Sequence, residues 1–513
     1  MTTGPAPVPG TGTAASPTHG GEWIPDTVAS RAAALAQAKA AQQAGVAVPT
    51  GVGKIMLGTD RQRILGKSLP PITVPAIHLS GTNGKGSTSA LLESCLMAAG
   101  LKTGRYNSPH LVEPRDTCLF NGQVVSSEEY AENVAFVQAI ADKEQLQSTT
   151  FEVSTWAFYR MCILRKVDVM IVECGIGGGR DATNILPKEI VLASGLSSVS
   201  LDHTAILGDT ITEITSDKAQ IAVEGGVLVS TPHQNPEATA KAKEVCAEKG
   251  ALFVQAEQST EVEAPGPIGL APFTPPRPPL IRTPLKGSPK GAIETRLPLP
   301  GAHQLDNLSL ALTILDYIRT DPRALNIQPK LRGLTDEAIQ KGVASTQWRG
   351  RCSWLTFRGP KRPIPVLVDG AHNFDSSTTL QRYIDTLNLP AGAPRTFVLA
   401  MSASIGKSPD GVVRPLLQKG DRVAVPRFTA PVAGMPWITQ TDTDKARDTV
   451  MPFIGEEGVF YEAKGMGAES VADALRWADE QQKETGFIVL CGSLYLVADA
   501  YRLLELQANE SSA

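Results

Sequence analysis

Residues 78–88 read HLSGTNGKGST. A phosphate-cradling loop of the form G-x-x-x-x-G-K-[ST] wraps phosphate oxygens in backbone N–H groups, sets a lysine on the outer oxygens and places a hydroxyl on Mg²⁺. Gly84 and Lys85 stand where that pattern needs them, but Leu79 holds the first glycine position and Gly86 pushes Ser87 one place along. Gly81, Thr82, Asn83, Gly84, Lys85, Gly86 and Ser87 are expected to hold phosphates, with Lys85 neutralising their charge; the alternative is a solvated turn lysine. Gly86 is expected to let the helix entrance approach a phosphate closely.

Other chemistry-bearing residues are scattered along the chain. Glu173 ends the apolar run VDVMIVE and precedes CGIGGG, whose glycines allow a ligand near the backbone. An unpaired buried carboxylate is costly, so Glu173 is either metal-linked or solvated at a strand end. His203 in SLDHTAILGDT and His110 in NSPHLVEP are candidate ligands, although a lone histidine is more often structural. Ser108 offers a hydroxyl to Mg²⁺ or caps the turn before Pro109. Lys218 in TSDKAQ reads, by itself, as a solvated helix lysine. Asp369 and His372 of VDGAHN follow a buried strand, where an Asx turn is the alternative, and Arg351 in WRGRCSW reads equally well as a surface arginine.

Five short runs must position these groups: AIHL (76–79), VDVMIVE (167–173), IVLASGLSSVS (190–200), PVLVDG (365–370) and FIVLCGS (487–493). Their apolarity is continuous rather than alternating, which predicts strands buried on both faces, hence parallel sheets covered by helices. STSALLESCLMAAG follows the glycine loop as a helix stopping at Gly100, so strand, loop and helix stand in the order a phosphate site needs. Ligands of open α/β sheets collect at the carboxyl ends of strands. The loop at 80–85, Glu173 and Asp202-His203-Thr204 each follow such a strand, so they are expected to share one rim.

At 513 residues the chain exceeds one ordinary core. The predicted order is a partly disordered extension (1–50) with an alanine-rich helix from Pro25 to Gly45, a phosphate-loop parallel-sheet domain (51–344) and a smaller Rossmann-like α/β domain (345–513). The proline-dense segment 264–291 is expected to be a surface insertion or long irregular loop. A hydrophobic content of 42% with 19% charged residues is globular, and a formal net charge of -4 leaves no basic footprint for nucleic acid. Seven scattered cysteines without a C-x-x-C pair argue against a disulfide framework or zinc site. No apolar run approaches the roughly 18 residues of a membrane span. The expected setting is the cytosol, a mitochondrial pool being the alternative, although the start carries no clear presequence.

Eight motifs in order then identify a resemblance: SGTNGKGST (80–88), NSPHLVEPRD (107–116), TTFEVST (149–155), VECGIGGGRDATN (172–184), SLDHTAILGDT (200–210), LPGAHQLDN (299–307), VDGAHN (368–373) and CGSLYLV (491–497). From about Leu57 to Val497 the chain resembles the folylpolyglutamate synthase and dihydrofolate synthase family of Mur-type ATP-dependent ligases, in which GKGS is the family's own form of the loop. The resemblance implies ATP and Mg²⁺ as cofactors, with ATP phosphates on Gly81 to Ser87 and Mg²⁺ on Ser108, Glu173 and His203. It implies a catalytic set of Lys85, Glu173, His203 and Lys218, where Lys218 matches a lysine that is carbamylated in many members. Asn307, Arg351 and Asp369 match nucleotide contacts, and Thr150, Phe151 and Glu152 lie where members bind the pterin. Gly179-Arg180 departs from the usual arginine followed by an aliphatic residue, and neither the extension nor the proline-rich segment has a family counterpart.

The reaction implied is ATP-driven joining of L-glutamate to a pterin carboxylate by a monomer, without nucleic acid or membrane. Asn83, where eukaryotic polyglutamate synthases usually carry lysine, and RDATN (180–184) favour dihydropteroate as acceptor over a reduced folate. A polyglutamate synthase or a bifunctional enzyme is the alternative, and a P-loop kinase or NTPase without glutamate ligation a remote one. A catalytically dead binding module would require loss of residues such as Lys85, Glu173 or His203, all of which are present.

Overall fold

Eight strands build the first sheet: β1 (Ala76–Ser80), β2 (Thr103–Tyr106), β3 (Cys118–Phe120), β4 (Gln123–Val124), β5 (Val169–Glu173), β6 (Val191–Leu196), β7 (Val227–Ser230) and β8 (Leu252–Gln255). Their order is β4-β3-β2-β5-β1-β6-β7-β8. The six from β2 to β8 in that order run parallel, and β3 and β4 add an antiparallel edge. The structure, a computed structural model, describes residues 57–270, 273–360, 362–387, 395–403, 409–430, 432, 438–482 and 487–512; the extension and its helix at Pro25–Gly45 lie outside these.

The continuous apolar runs do become buried strands. Along β1, β5 and β6 every residue is buried, because successive side chains point to opposite faces and both faces carry helices. Ile77, Leu79 and Ile171 pack with Leu91 and Leu92 of the helix Lys85–Ala98 and Leu310 and Ile314 of the helix His303–Thr320. Met170 and Val172 face the other way, onto Phe158 and Tyr159 of the helix Thr150–Leu164. Register then aligns the strand ends: Leu79 lies beside Glu173, Ser80 beside Leu196, and Tyr106 beside Val172. The chain leaving β1, β2, β5 and β6 therefore emerges on one rim.

The second sheet has the order Ser353–Arg358, Pro363–Val368, Phe487–Cys491, Arg395–Leu399, Arg422–Val425, Val459–Glu462. Only its first strand is antiparallel to its neighbour. Helices Ala468–Gln481 and Leu494–Ser512 cover one face and Phe374–Thr386 and Thr443–Ile454 the other, each through its own apolar cluster. The fold is thus α/β with two parallel-rich sheets, as the sequence predicts. Ile339 and Val343 of the helix Asp336–Ala344 still belong to the core of the first sheet, and the second sheet begins nine residues after that helix ends, at Ser353.

The proline-dense segment differs from the irregular loop expected of it. Leu280–Pro284 pairs with Ala292–Arg296 and with Thr260–Glu263 in a three-stranded antiparallel sheet, and Gly269–Leu270 pairs with Phe273–Thr274. Ile281, Thr283, Ile293 and Thr295 alternate inward along the two main strands. The prolines fall outside the central ladder positions, where their missing N–H costs no hydrogen bond, so proline density does not exclude a sheet here.

Candidate active site

The loop after β1 is shaped by glycine and clamped by the segment that follows β6. Gly81 (φ 139°) and Gly84 (φ 99°) adopt conformations that other residues rarely reach. Thr82 N–H donates to the Ser198 carbonyl at 2.7 Å, and the Ser198 hydroxyl donates to the Asn83 carbonyl at 3.1 Å. Asn83 is left exposed at the crest. Gly84 caps the helix Lys85–Ala98, whose first N–H groups have no intrahelical acceptor and so are donors of the kind that bind anions. Ser87 is buried and accepts from Gln304 Nε2 at 3.3 Å; Gln304 Oε1 in turn accepts from Asn307 Nδ2 at 2.9 Å. A Cβ on Gly84 would fall 2.1 Å from Asn307 Oδ1, so Asn307 reaches the loop.

Two lysines converge on one carbonyl. Lys85 Nζ donates to Gly81 O at 3.0 Å and to Thr82 O at 3.1 Å, and lies 3.8 Å from Glu173 Oε1. Lys218 Nζ donates to the same Gly81 O at 2.8 Å. Its solvated reading is therefore corrected: Lys218 is 3% exposed, and burial, together with the charge of Lys85, lowers its pKa to about 8. The glycine run after β5 makes this possible, since a Cβ on Gly178 would lie 2.5 Å from the Lys218 carbonyl. The steric use the structure shows for Gly177 and Gly178 is to admit the helix Ile211–Lys218.

Glu173 is not solvated at its strand end. It is 5% exposed, and its Oε2 accepts from Asn107 Nδ2 at 2.6 Å. Burial raises its pKa, opposed by the Lys85 charge, the Asn107 hydrogen bond, the Arg351 charge and the Ser108 N–H. Asn107 Oδ1 is buried and has no partner among the described residues. A carboxylate, an orphaned amide oxygen and the half-buried Ser108 offer the hard oxygen donors that Mg²⁺ prefers. His203 stands on the segment after β6 with an exposed ring 3.8 Å from Asp202. Among the described residues no three His, Cys, Asp or Glu side chains come together as a ready metal site.

The second sheet contributes from its own strand ends. Arg351 Nη1 donates to Gly350 O at 3.0 Å, and its charge bears on Glu173 and on His303. Asp369 makes the Asx turn: Oδ1 accepts from Ala371 N–H at 2.8 Å and Oδ2 from Cys352 N–H at 2.7 Å. Its carboxylate so fixes the residue next to Arg351. His372 Nδ1 bonds Gly370 O at 2.8 Å. His303 lies within electrostatic reach of Asp369, Arg351 and Asp306; sequence reasoning passed over it although it heads the HQLDN motif.

The residues expected at a pterin divide. Glu152 is 1% exposed and its carboxylate is filled, accepting from Thr149 N–H (2.7 Å), Thr149 Oγ1 (3.0 Å), Arg61 Nε (3.0 Å) and Arg61 Nη2 (2.9 Å). It closes a capping box at the start of the helix Thr150–Leu164. Thr150 is exposed, and Phe151 packs on Gly175 and lies 5.9 Å from Tyr106. Arg180 is taken by Asp217 Oδ1 (2.8 Å) and Ile206 O (3.1 Å).

Beneath the rim, Asp181 accepts from the N–H groups of Gly175, Ile176 and Thr183, and the Thr183 hydroxyl stands 2.9 Å from His78 Nε2. Burial, then Lys249, lowers the His78 pKa to about 3. The unfolded chain binds a proton here near pH 6.5 while the folded chain does not until about pH 3, so stability is lost as pH falls through that window. Between pH 6 and 4.5 the wild type should lose about 1.4 kcal/mol per pH unit more than His78→Asn, read from denaturant unfolding; parallel pH curves would show that His78 titrates normally.

The dihydrofolate synthetase C-terminal domain family matches residues 354–503. The probable dihydrofolate synthetase of Schizosaccharomyces pombe is 31% identical, covering 88% of this chain and 99% of its own. The dihydrofolate synthetase of Saccharomyces cerevisiae is 28% identical, covering 88% and 98%. A Mycobacterium tuberculosis folylpolyglutamate synthase structure, complexed with ADP and AMPPCP, shares the fold with a TM-score of 0.70 at 22% identity, covering 92% and 98%.

Proposed function

Because the chain belongs to the dihydrofolate synthetase and folylpolyglutamate synthase family of ATP-dependent ligases, we propose that it joins L-glutamate to dihydropteroate, giving dihydrofolate, ADP and phosphate. The observation that carries the chemistry is the meeting of Lys85 and Lys218 on Gly81 O, with Glu173 3.8 Å from Lys85. Near-complete coverage of two fungal relatives named dihydrofolate synthetase, with Asn83 at the loop crest, favours dihydropteroate as acceptor.

A carboxylate is a poor acyl donor, so it first takes the γ-phosphoryl of ATP; the amine of glutamate then attacks the acyl phosphate, and phosphate leaves. Backbone N–H groups of Gly84 to Ser87 bind phosphate oxygens, and Lys85 exchanges its loop carbonyls for the transferring group, where its charge offsets developing negative charge. Glu173, Ser108 and His203 would hold Mg²⁺, which would supply further neutralisation of phosphate charge. Asn307 and Arg351 hold the nucleotide from the two sides, and Asp369 fixes the Arg351 segment. Thr150 and Phe151 border the acceptor, Glu152 acting through the helix start. Division near residue 345 lets the second sheet close over the site and exclude water from the acyl phosphate. The reading has the enzyme work as a cytosolic monomer, and seven buried cysteines outside any disulfide are compatible with a reducing compartment. No helix among the described residues is long and apolar enough to cross a membrane.

The test supplies MgATP and L-glutamate with either dihydropteroate or a tetrahydrofolate monoglutamate and weighs the products. Glutamate on dihydropteroate alone is expected. Addition only to the reduced folate would replace the acceptor, addition to both would make the enzyme bifunctional, and ATP turnover without glutamate incorporation would overturn ligation.

A further inference from the structure

Gly86 occupies the position that carries a hydroxyl in the common phosphate loop, and in the structure its Cα faces the ring of Trp348. A Cβ on Gly86 would lie 2.6 Å from the ring of Trp348, closer than packing allows. The indole packs against the apolar core of the first sheet. The guanidinium of Arg105 lies over it, 4.7 Å from the ring centroid, and Arg105 is itself buried and held by Glu93 Oε2 at 2.7 Å.

A few residues later the chain is fastened elsewhere. Gly350 N–H donates to the Tyr501 hydroxyl at 3.1 Å, Gly350 O accepts from Gly370 N–H at 3.0 Å, and Cys352 N–H donates to Asp369 at 2.7 Å. Tyr501 and Val368, the residue before Asp369, belong to the core of the second sheet. From Trp348 to Cys352 the chain therefore passes between two anchorages, and Arg351 lies between them with its charge on Glu173. Lifting the indole would move Arg351 relative to the loop that holds Lys85.

We propose that Trp348 is a positioning residue: its indole, seated on Gly86, keys the second-sheet region to the phosphate loop and sets Arg351 against the nucleotide. Gly86 is glycine to receive that indole. The inference rests on the ATP-dependent reading above, and the shared chemistry it adds is steric: the loop and the connecting segment form one fitted unit.

The experiment compares Gly86→Ala, Trp348→Leu, Trp348→Phe and the Gly86→Ala/Trp348→Leu double variant, by kcat and KM for ATP, by ADP binding in calorimetry and by melting. Gly86→Ala is expected to lower kcat/KM for ATP on the order of 10²-fold. Trimming the indole in the double variant should restore about tenfold of that loss, and Trp348→Phe should keep more activity than Trp348→Leu. ADP affinity should follow the same order, so the fit is decided even if the wild type makes no glutamylated product, an outcome that would count against the ligase reading alone. A folded double variant no better than Gly86→Ala would mean that the glycine serves the phosphate itself and would overturn the proposal. Should Gly86→Ala fail to fold, Trp348→Leu decides alone: a lowered melting temperature with unchanged kcat/KM and ADP affinity makes Trp348 core packing and overturns it, whereas a raised KM for ATP supports it.

Discussion

Lys85→Ala is expected to lower ligation on the order of 10²-fold or more while the protein stays folded. The ammonium is held at the phosphate loop by two of that loop's carbonyls and lies 3.8 Å from Glu173. Its loss removes positive charge where a phosphoryl group gains negative charge. It also removes the largest influence that opposes the burial-driven rise of the Glu173 pKa, so Glu173 is less readily ionised. Both effects fall on the chemical step, and kcat should drop more than KM for ATP rises. Steady-state kinetics on a variant with wild-type melting tests this; near-normal kcat would remove Lys85 from the transferring group.

The parts of this site that were legible in the sequence are those fixed by local pattern. AIHL, VDVMIVE and FIVLCGS are continuous apolar runs, and a run of that kind becomes a central parallel strand wherever helices can cover both faces. β2 is TGRY and gives no such signal, because its burial comes from partners outside the strand: Arg105 is paired with Glu93 on the preceding helix, and Tyr106 with Ser154, 48 residues on. Lys218 illustrates the same limit. Within TSDKAQ it is an ordinary helix lysine, and only close passage of its helix over Gly178 brings the amine to Gly81 O. Glu152 shows the converse, since a motif position expected at the substrate is filled by Thr149 and Arg61. Gly86 was read through the phosphate-loop pattern, which has no means of announcing a ring 262 residues further along.

Lys218→Ala should also inactivate, by about 10- to 100-fold, and the manner of rescue identifies the chemical form of this lysine. Two ammonium groups donate to one carbonyl oxygen, and one of them is 3% exposed. Burial and the charge of Lys85 bring the Lys218 pKa down to about 8, so a substantial neutral fraction exists in mildly alkaline solution. A neutral amine attacks CO₂: a nitrogen–carbon bond forms, one proton is released, and the side chain ends as a carbamate anion. That change replaces repulsion of Lys85 by attraction and adds a hard oxygen donor near Lys85. At fixed dissolved CO₂ the modified fraction should rise with pH through about 8, because the protonated amine does not react. Wild-type protein freed of CO₂ should lose activity and recover it with bicarbonate, and Lys218→Ala should recover in part with millimolar acetate, which restores a carboxylate to the vacated space. If Lys218→Arg retains activity while acetate does nothing for Lys218→Ala, the lysine acts as a cation and the carbamate is excluded. Full activity of Lys218→Ala would remove the residue from the mechanism, leaving the shared contact with Gly81 O as a feature of packing.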